Sequence, residues 1–205
     1  MQDYVWYASY GSNLSEDRFM CYIKGGKPAG AKKIYEGCSD KSNPVDQKAI
    51  EIPHELYFAK SAQVWSGGGV CFINPQINNE ANTLAKMYLI TKSQFIDVVK
   101  QENKTNESLN VDLNKVKEHK SLITIENSWY GNLLHLGNEE HSPIFTFTNQ
   151  GYLHDEINSP NHHYLKTIIR GLVDSHKLSE VQIVDYLSSK KGVSKNQIHN
   201  IITEL

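Results

Sequence analysis

The chain of 205 residues is long enough for one sizeable core, and 39% apolar with 21% charged residues is the composition of an ordinary globular protein. A formal net charge of −2, with no block of like charges, excludes the basic stripe of a nucleic-acid binder. The three cysteines, Cys21, Cys38 and Cys71, are odd in number and lack C-x-x-C spacing, which argues against a disulfide framework or a zinc site.

Reduced thiols fit a cytoplasmic setting. The opening Met1-Gln2-Asp3 has neither a basic nor an apolar leader region, so no signal peptide is expected. No apolar run reaches the roughly 18 residues of a membrane span, so no membrane partner is expected either.

In chain order, Tyr4-Val5-Trp6-Tyr7-Ala8 is aromatic and β-branched, as in a buried strand. Gly11 breaks it. Asn13 with Glu16 three residues later resembles a capping box, predicting a helix through Phe19 and Ile23 that stops at Gly25-Gly26. Residues 27 to 55 read as one or two strands and a long irregular loop. Leu56 to Trp65 and Val70 to Ile73 read as strands about a Gly67-Gly68-Gly69 turn, and Thr83 to Ile90 as another strand. Thr91-Lys92-Ser93 opens a helix carrying Phe95, Ile96, Val98 and Val99. Residues 103 to 118 are polar and read as a loop. Ser121 to Leu136 and Ile144 to Thr148 give late strands, and Asn158-Ser159-Pro160 introduces a helix carrying Tyr164, Ile168, Ile169 and Leu172. Two short amphipathic helices follow, one with Val181, Val184 and Leu187, the other with Ile198 and Ile202. Many strands with few helices between them favour an α+β arrangement.

A strand ending in Tyr10-Gly11-Ser12-Asn13 and feeding a helix gathers unpaired backbone N–H groups where a carboxylate or phosphate is held without a basic side chain. Gly11 permits close approach of a ligand, and Ser12 and Asn13 add short polar side chains. From spacing alone, a capped turn in which Asn13 only satisfies its own helix is an equal reading.

Tyr7 to Leu14 resembles the Tyr-Gly-Ser-Asn signature of the γ-glutamylcyclotransferase-like family. Three further stretches resemble family features in the same order. They are Trp65-Ser66-Gly67-Gly68, the strand–helix unit from Leu89 to Glu102, and Ser159-Pro160 with Tyr164-Leu165-Lys166 through Gly171. The resemblance spans roughly residues 4 to 172. It implies a curled mixed sheet or small barrel with flanking helices. It also implies a domain over residues 1–175, with a helical C-terminal extension over 176–205. Glu102 would be the catalytic acid/base, and Tyr10, Gly11, Ser12, Asn13, Leu14 and Tyr164 would bind a γ-glutamyl substrate, with no cofactor or metal. Glu102 is followed by Asn103, where the family usually has glycine.

The implied reaction closes a γ-glutamyl group on itself to give 5-oxoproline. A base must take a proton from the attacking α-amine and an acid must protonate the departing amine. One carboxylic acid in a partly desolvated pocket serves both steps. Two other outcomes stay open. One is a carboxylate-binding module on the same fold without turnover, and the other is a Glu102 that is a solvated helix-end residue.

Other chemistries are poorly served. His162 and His163 are adjacent and do not share a helix face, and His54-Glu55 lacks the second histidine of H-E-x-x-H. Ser12 is not in G-x-S-x-G. Cys71 reads as a small buried apolar residue, and Trp129-Tyr130 as sheet core.

Overall fold

The computed structural model describes residues 3–28, 34–105 and 109–204. Parts of the two expected loops, 29–33 and 106–108, lie outside the described residues, as do Met1 and Gln2. Strand β1 (Tyr4–Ser9) is buried along nearly its whole length and is central. Its alternation sends Val5 and Tyr7 to one face and Trp6 and Ala8 to the other, and both faces are covered. This explains an uninterrupted apolar run in the sequence.

The remaining elements are α1 (Glu16–Lys24), β2 (Asp46–Ile52), β3 (His54–Ala62), β4 (Gly68–Ile77), β5 (Thr83–Thr91), α2 (Lys92–Asn103) and α3 (Leu113–His119). After them come β6 (Ser121–Ile123), β7 (Asn132–Glu139), β8 (Ser142–Thr148), α4 (His162–His176), α5 (Glu180–Ser188) and α6 (Lys195–Ile202). Six strands form one sheet in the order β2-β5-β1-β8-β7-β6, and β3 and β4 form a separate two-stranded sheet. Strand β1 pairs antiparallel with β5 and parallel with β8, so the larger sheet is mixed. The α+β expectation is met.

The sheets are not closed into a barrel, which corrects one expectation. Where β4 approaches β8, a side chain does what a ladder would do. The Thr148 hydroxyl accepts from the Ile73 N–H at 3.2 Å and donates to the Ile73 carbonyl at 2.7 Å. With those backbone groups taken, the two sheets meet through a hydroxyl and do not merge.

Helices α1, α2 and α3 cover one face of the large sheet through Phe19, Ile23, Phe95, Val99 and Val116. Helix α2 starts at a full capping box, with Thr91 accepting from the Gln94 N–H and Gln94 accepting from the Thr91 N–H. Helix α3 lies in the stretch expected to be loop. Asp112 caps it, and its Leu113 and Val116 are buried.

Helices α4, α5 and α6 pack with the β3–β4 sheet in a second cluster. The division expected after residue 175 falls within the last turn of α4. The tail is tied to the body by polar contacts as well: the Leu84 N–H donates to the Tyr186 hydroxyl at 3.0 Å, and the Phe58 N–H donates to the Lys191 carbonyl at 2.9 Å.

Two predictions follow from this packing. Ile183, Leu187, Ile198 and Ile201 are at most 1% exposed. Burying four such side chains contributes about 6–12 kcal/mol, comparable with the whole stability of a domain. Deletion of residues 177–205 is therefore expected to abolish cooperative unfolding in urea, and a sharp transition in the truncated chain would show the body to be independent.

The second prediction concerns pH. His54 is 3% exposed, with its Nδ1–H on the Asn74 carbonyl at 2.7 Å, and burial lowers its pKa from 6.5. Burial and the Lys120 charge act the same way on His135. Below about pH 6.5 the unfolded chain therefore binds protons that the folded chain refuses. Stability should be full above that value and fall as pH drops through it. Urea midpoints measured on either side should show this, and His54→Gln should flatten the dependence.

Candidate active site

The loop after β1 is not the start of a helix. Ser12–Leu14 forms one 3-10 turn, closed by the Leu14 N–H on the Gly11 carbonyl at 3.0 Å. Helix α1 begins two residues later than expected, with Ser15 at its N-cap and no side-chain cap bond. Asn13 therefore caps nothing, a second correction. The turn is held from below by Leu14, 1% exposed and packed against α4. A Cβ at Gly171 would lie 2.5 Å from the Leu14 Cβ, so α4 approaches this closely only because residue 171 is glycine.

With Leu14 turned into the core, the residues before it face a cavity of about 310 Å³. Of the residues expected to form the site, Tyr10, Gly11, Ser12, Asn13, Glu102 and Tyr164 line this cavity. Leu14 does not; it supports the turn from the core side. The amides of Gly11, Ser12 and Asn13 donate to no acceptor among the described residues.

Asn13 is 3% exposed. Its carbonyl accepts from the Tyr88 hydroxyl at 2.8 Å, and its Nδ2 lies 3.4 Å from both the Tyr7 hydroxyl and Glu102 Oε1. Glu102 stands in the last turn of α2 and is half-buried. Tyr10 donates to the Phe147 carbonyl at 2.7 Å, and the Tyr164 hydroxyl accepts from the Cys71 N–H at 3.0 Å. Burial, and after it the Glu102 charge, holds the phenols of Tyr7 and Tyr22 above their ordinary pKa, so both remain O–H donors at neutral pH.

Among the wall residues not foreseen from sequence, three bear on the site's chemistry. Trp129 and Tyr130, expected in sheet core, line the cavity from the segment before β7. Asn103 fixes that segment against the end of α2. Its Nδ2 donates to the carbonyls of Val99 (2.8 Å) and Tyr130 (3.1 Å). Its Oδ1 accepts from the Ser128 hydroxyl and from the Tyr130 N–H at 3.3 Å.

Arg18 is the third. It is 8% exposed, lines the cavity, and donates from Nε to Ser12 Oγ at 2.8 Å and from Nη2 to the Tyr35 hydroxyl at 2.9 Å. Its guanidinium carbon lies 4.8 Å from the centroid of the Trp65 ring. Burial opposes its charge, but Tyr22, Tyr35 and Glu102 outweigh burial and keep the pKa raised. A signal was present, since Arg18 and Tyr22 are four residues apart and share a helix face.

Two solved structures share this architecture. A γ-glutamyl cyclotransferase aligns over 99% of this chain and 100% of its own, at a TM-score of 0.54 and 17% identity. The chain has a γ-glutamylcyclotransferase-like fold. An uncharacterized protein from Homo sapiens aligns over 98% of this chain and 99% of its own, at a TM-score of 0.53 and 17% identity. No family model matches the chain. In sequence, it is 40% identical over 212 residues to a protein named Histone deacetylase 5 from Arabidopsis thaliana. That match covers 93% of this chain but spans only 31% of the relative. Among the described residues, no helix is long and apolar enough to cross a membrane.

The environments of the cysteines predict their reactivity. Burial pushes the thiols of Cys38 and Cys71 up to about 12; it raises Cys21 as well, but Cys21 is half-exposed and within reach of a reagent. Titration of the native protein with a disulfide reagent near neutral pH is expected to modify one thiol per chain, and Cys21→Ser to remove it. Rapid modification of Cys71 would mean that the cavity wall opens.

Proposed function

We propose that this chain is an acyl transferase of the γ-glutamylcyclotransferase type, releasing 5-oxoproline from a γ-glutamyl amine or peptide. The observation that carries this reading is the meeting of Glu102 and the Gly11–Asn13 loop on the wall of one cavity, with Asn13 Nδ2 3.4 Å from Glu102 Oε1. The cavity is of a size that holds a small ligand.

In this reading the substrate's α-amine attacks its own γ-carbonyl carbon. The new C–N bond closes the five-membered ring, and the carbonyl electron pair moves onto oxygen, where the free amides of the loop stabilise it. Glu102 takes the proton that the α-amine loses. As the carbonyl re-forms, the bond to the departing amine breaks and Glu102 returns the proton to that nitrogen. No atom is gained or lost, and no oxidant or covalent enzyme intermediate is required. The cavity holds the flexible chain folded on itself, which supplies the proximity of an intramolecular reaction.

The activity in the name of the Arabidopsis relative belongs to a protein of which this chain spans 31%. We infer that the matching segment of that relative has the same fold and the same cavity, at 40% identity.

The test is a screen of γ-glutamyl amines and dipeptides for 5-oxoproline, followed by Glu102→Gln. The amide keeps the shape of the carboxylate but does not accept and return the proton, so kcat should fall on the order of 10²- to 10⁴-fold. Near-native thermal stability and ligand binding are expected to persist. An unchanged kcat would remove Glu102 from the mechanism. Binding without turnover by the wild-type chain would establish a carboxylate-binding module on this fold.

A further inference from the structure

Arg18 is a nearly buried cation in the cavity wall to which the cyclisation chemistry assigns no task. Its two hydrogen-bond partners, Ser12 Oγ and the Tyr35 hydroxyl, are neutral and use two of the guanidinium's five donors. Nη1 makes no hydrogen bond among the described residues, yet it is not among the buried polar atoms sealed from solvent. Since Arg18 lines the cavity, part of the guanidinium fork is open to it. Trp65 on one side and the two hydroxyls at the edge fix the plane of the fork, so little freedom is lost when an anion docks. The surroundings of Arg18 hold the guanidinium charged against burial, and a fixed cation with donors to spare suits an anionic ligand.

We propose that Arg18 is the carboxylate-binding residue of this cavity, pairing with the α-carboxylate of the substrate's amino-acid head while Glu102 faces the neighbouring α-amine. The inference rests on the cyclotransferase reading and deepens it. It names a cationic side chain for the carboxylate, where the sequence suggested loop amides. Those amides are then left for the γ-carbonyl. The cavity selects acyl donors that carry a free α-amino acid head over those that carry the amine alone.

The experiment compares L-γ-glutamyl-L-alanine with 4-aminobutanoyl-L-alanine. Both close to a five-membered lactam, and they differ only in the α-carboxylate. Wild type should prefer the first by on the order of 10²- to 10³-fold in kcat/KM. Arg18→Gln should compress that preference to less than about tenfold, by slowing the glutamyl substrate and not the other. An equal loss on both substrates would make Arg18 a structural clamp for Ser12 and Tyr35 and overturn the proposal. Lys104 is exposed and also lines the cavity, so a preference that survives Arg18→Gln and disappears in Lys104→Gln would place carboxylate recognition there, with the same result.

If Arg18→Gln does not fold, Arg18→Lys keeps the charge without the fork. A preference unchanged in that variant would also overturn the assignment. If wild type turns over neither compound, the catalytic reading fails on its own. Calorimetry with L-glutamine and with 4-aminobutanamide then decides the binding question. Binding that requires both the carboxylate and Arg18 supports the proposal, and equal or absent binding of the two overturns it.

Discussion

The close approach of helix α4 to the 3-10 turn, made possible by the missing side chain at Gly171, is the constraint on which the site depends. Leu14 is drawn into the core cluster shared by α4 and the β3–β4 sheet. A turn anchored by its last residue presents the preceding ones in the opposite direction, so Gly11, Ser12 and Asn13 face the cavity. The Tyr88 hydroxyl on the Asn13 carbonyl then links the turn to β5. The loop is thus held from both sides by groups that never touch the cavity, as a preorganised site requires.

Charge in the cavity is arranged with equal economy. Glu102 and the cations Arg18 and Lys104 stand among tyrosines, and the phenols of Tyr7 and Tyr22 stay protonated. Burial opposes the charge of Arg18, and the tyrosines and Glu102 around it outweigh that cost. On the proposed function, an amino-acid head group would meet these residues with its own pair of opposite charges.

Much of the fold was legible in the sequence because its signals were local. The aromatic run at 4–8, the helix start at Thr91-Lys92-Ser93 and the apolar spacing of α4 each report short-range structure, and each lies where it was read. The errors arose where tertiary contacts overruled local patterns. Asn13 with Glu16 has the spacing of a cap, but burial of Leu14 outweighs one capping bond, and the helix waits until Ser15. Helix α3 was hidden because only Leu113 and Val116 face inward from a polar stretch. In the site, six of the seven expected residues line the cavity, and only Leu14 does not. Arg18 was missed because a charged residue in an amphipathic helix ordinarily faces water, and its spacing to Tyr22 shows only that the two share a face, not that the face turns under Trp65.

Asn103 carries a further consequence. Its side-chain amide bridges the end of α2, which bears Glu102, to the Ser128–Tyr130 segment, which bears two aromatic walls. The γ-glutamylcyclotransferase-like pattern usually has glycine at this position, and glycine has no side chain with which to make that bridge. In this chain the end of α2 that bears Glu102 and the aromatic segment before β7 are tied together: a displacement of either carries the other with it. Relatives that share the asparagine should therefore keep a hydroxyl at the position of Ser128, whereas those with glycine are free to vary there, so that these two positions change together over evolutionary time.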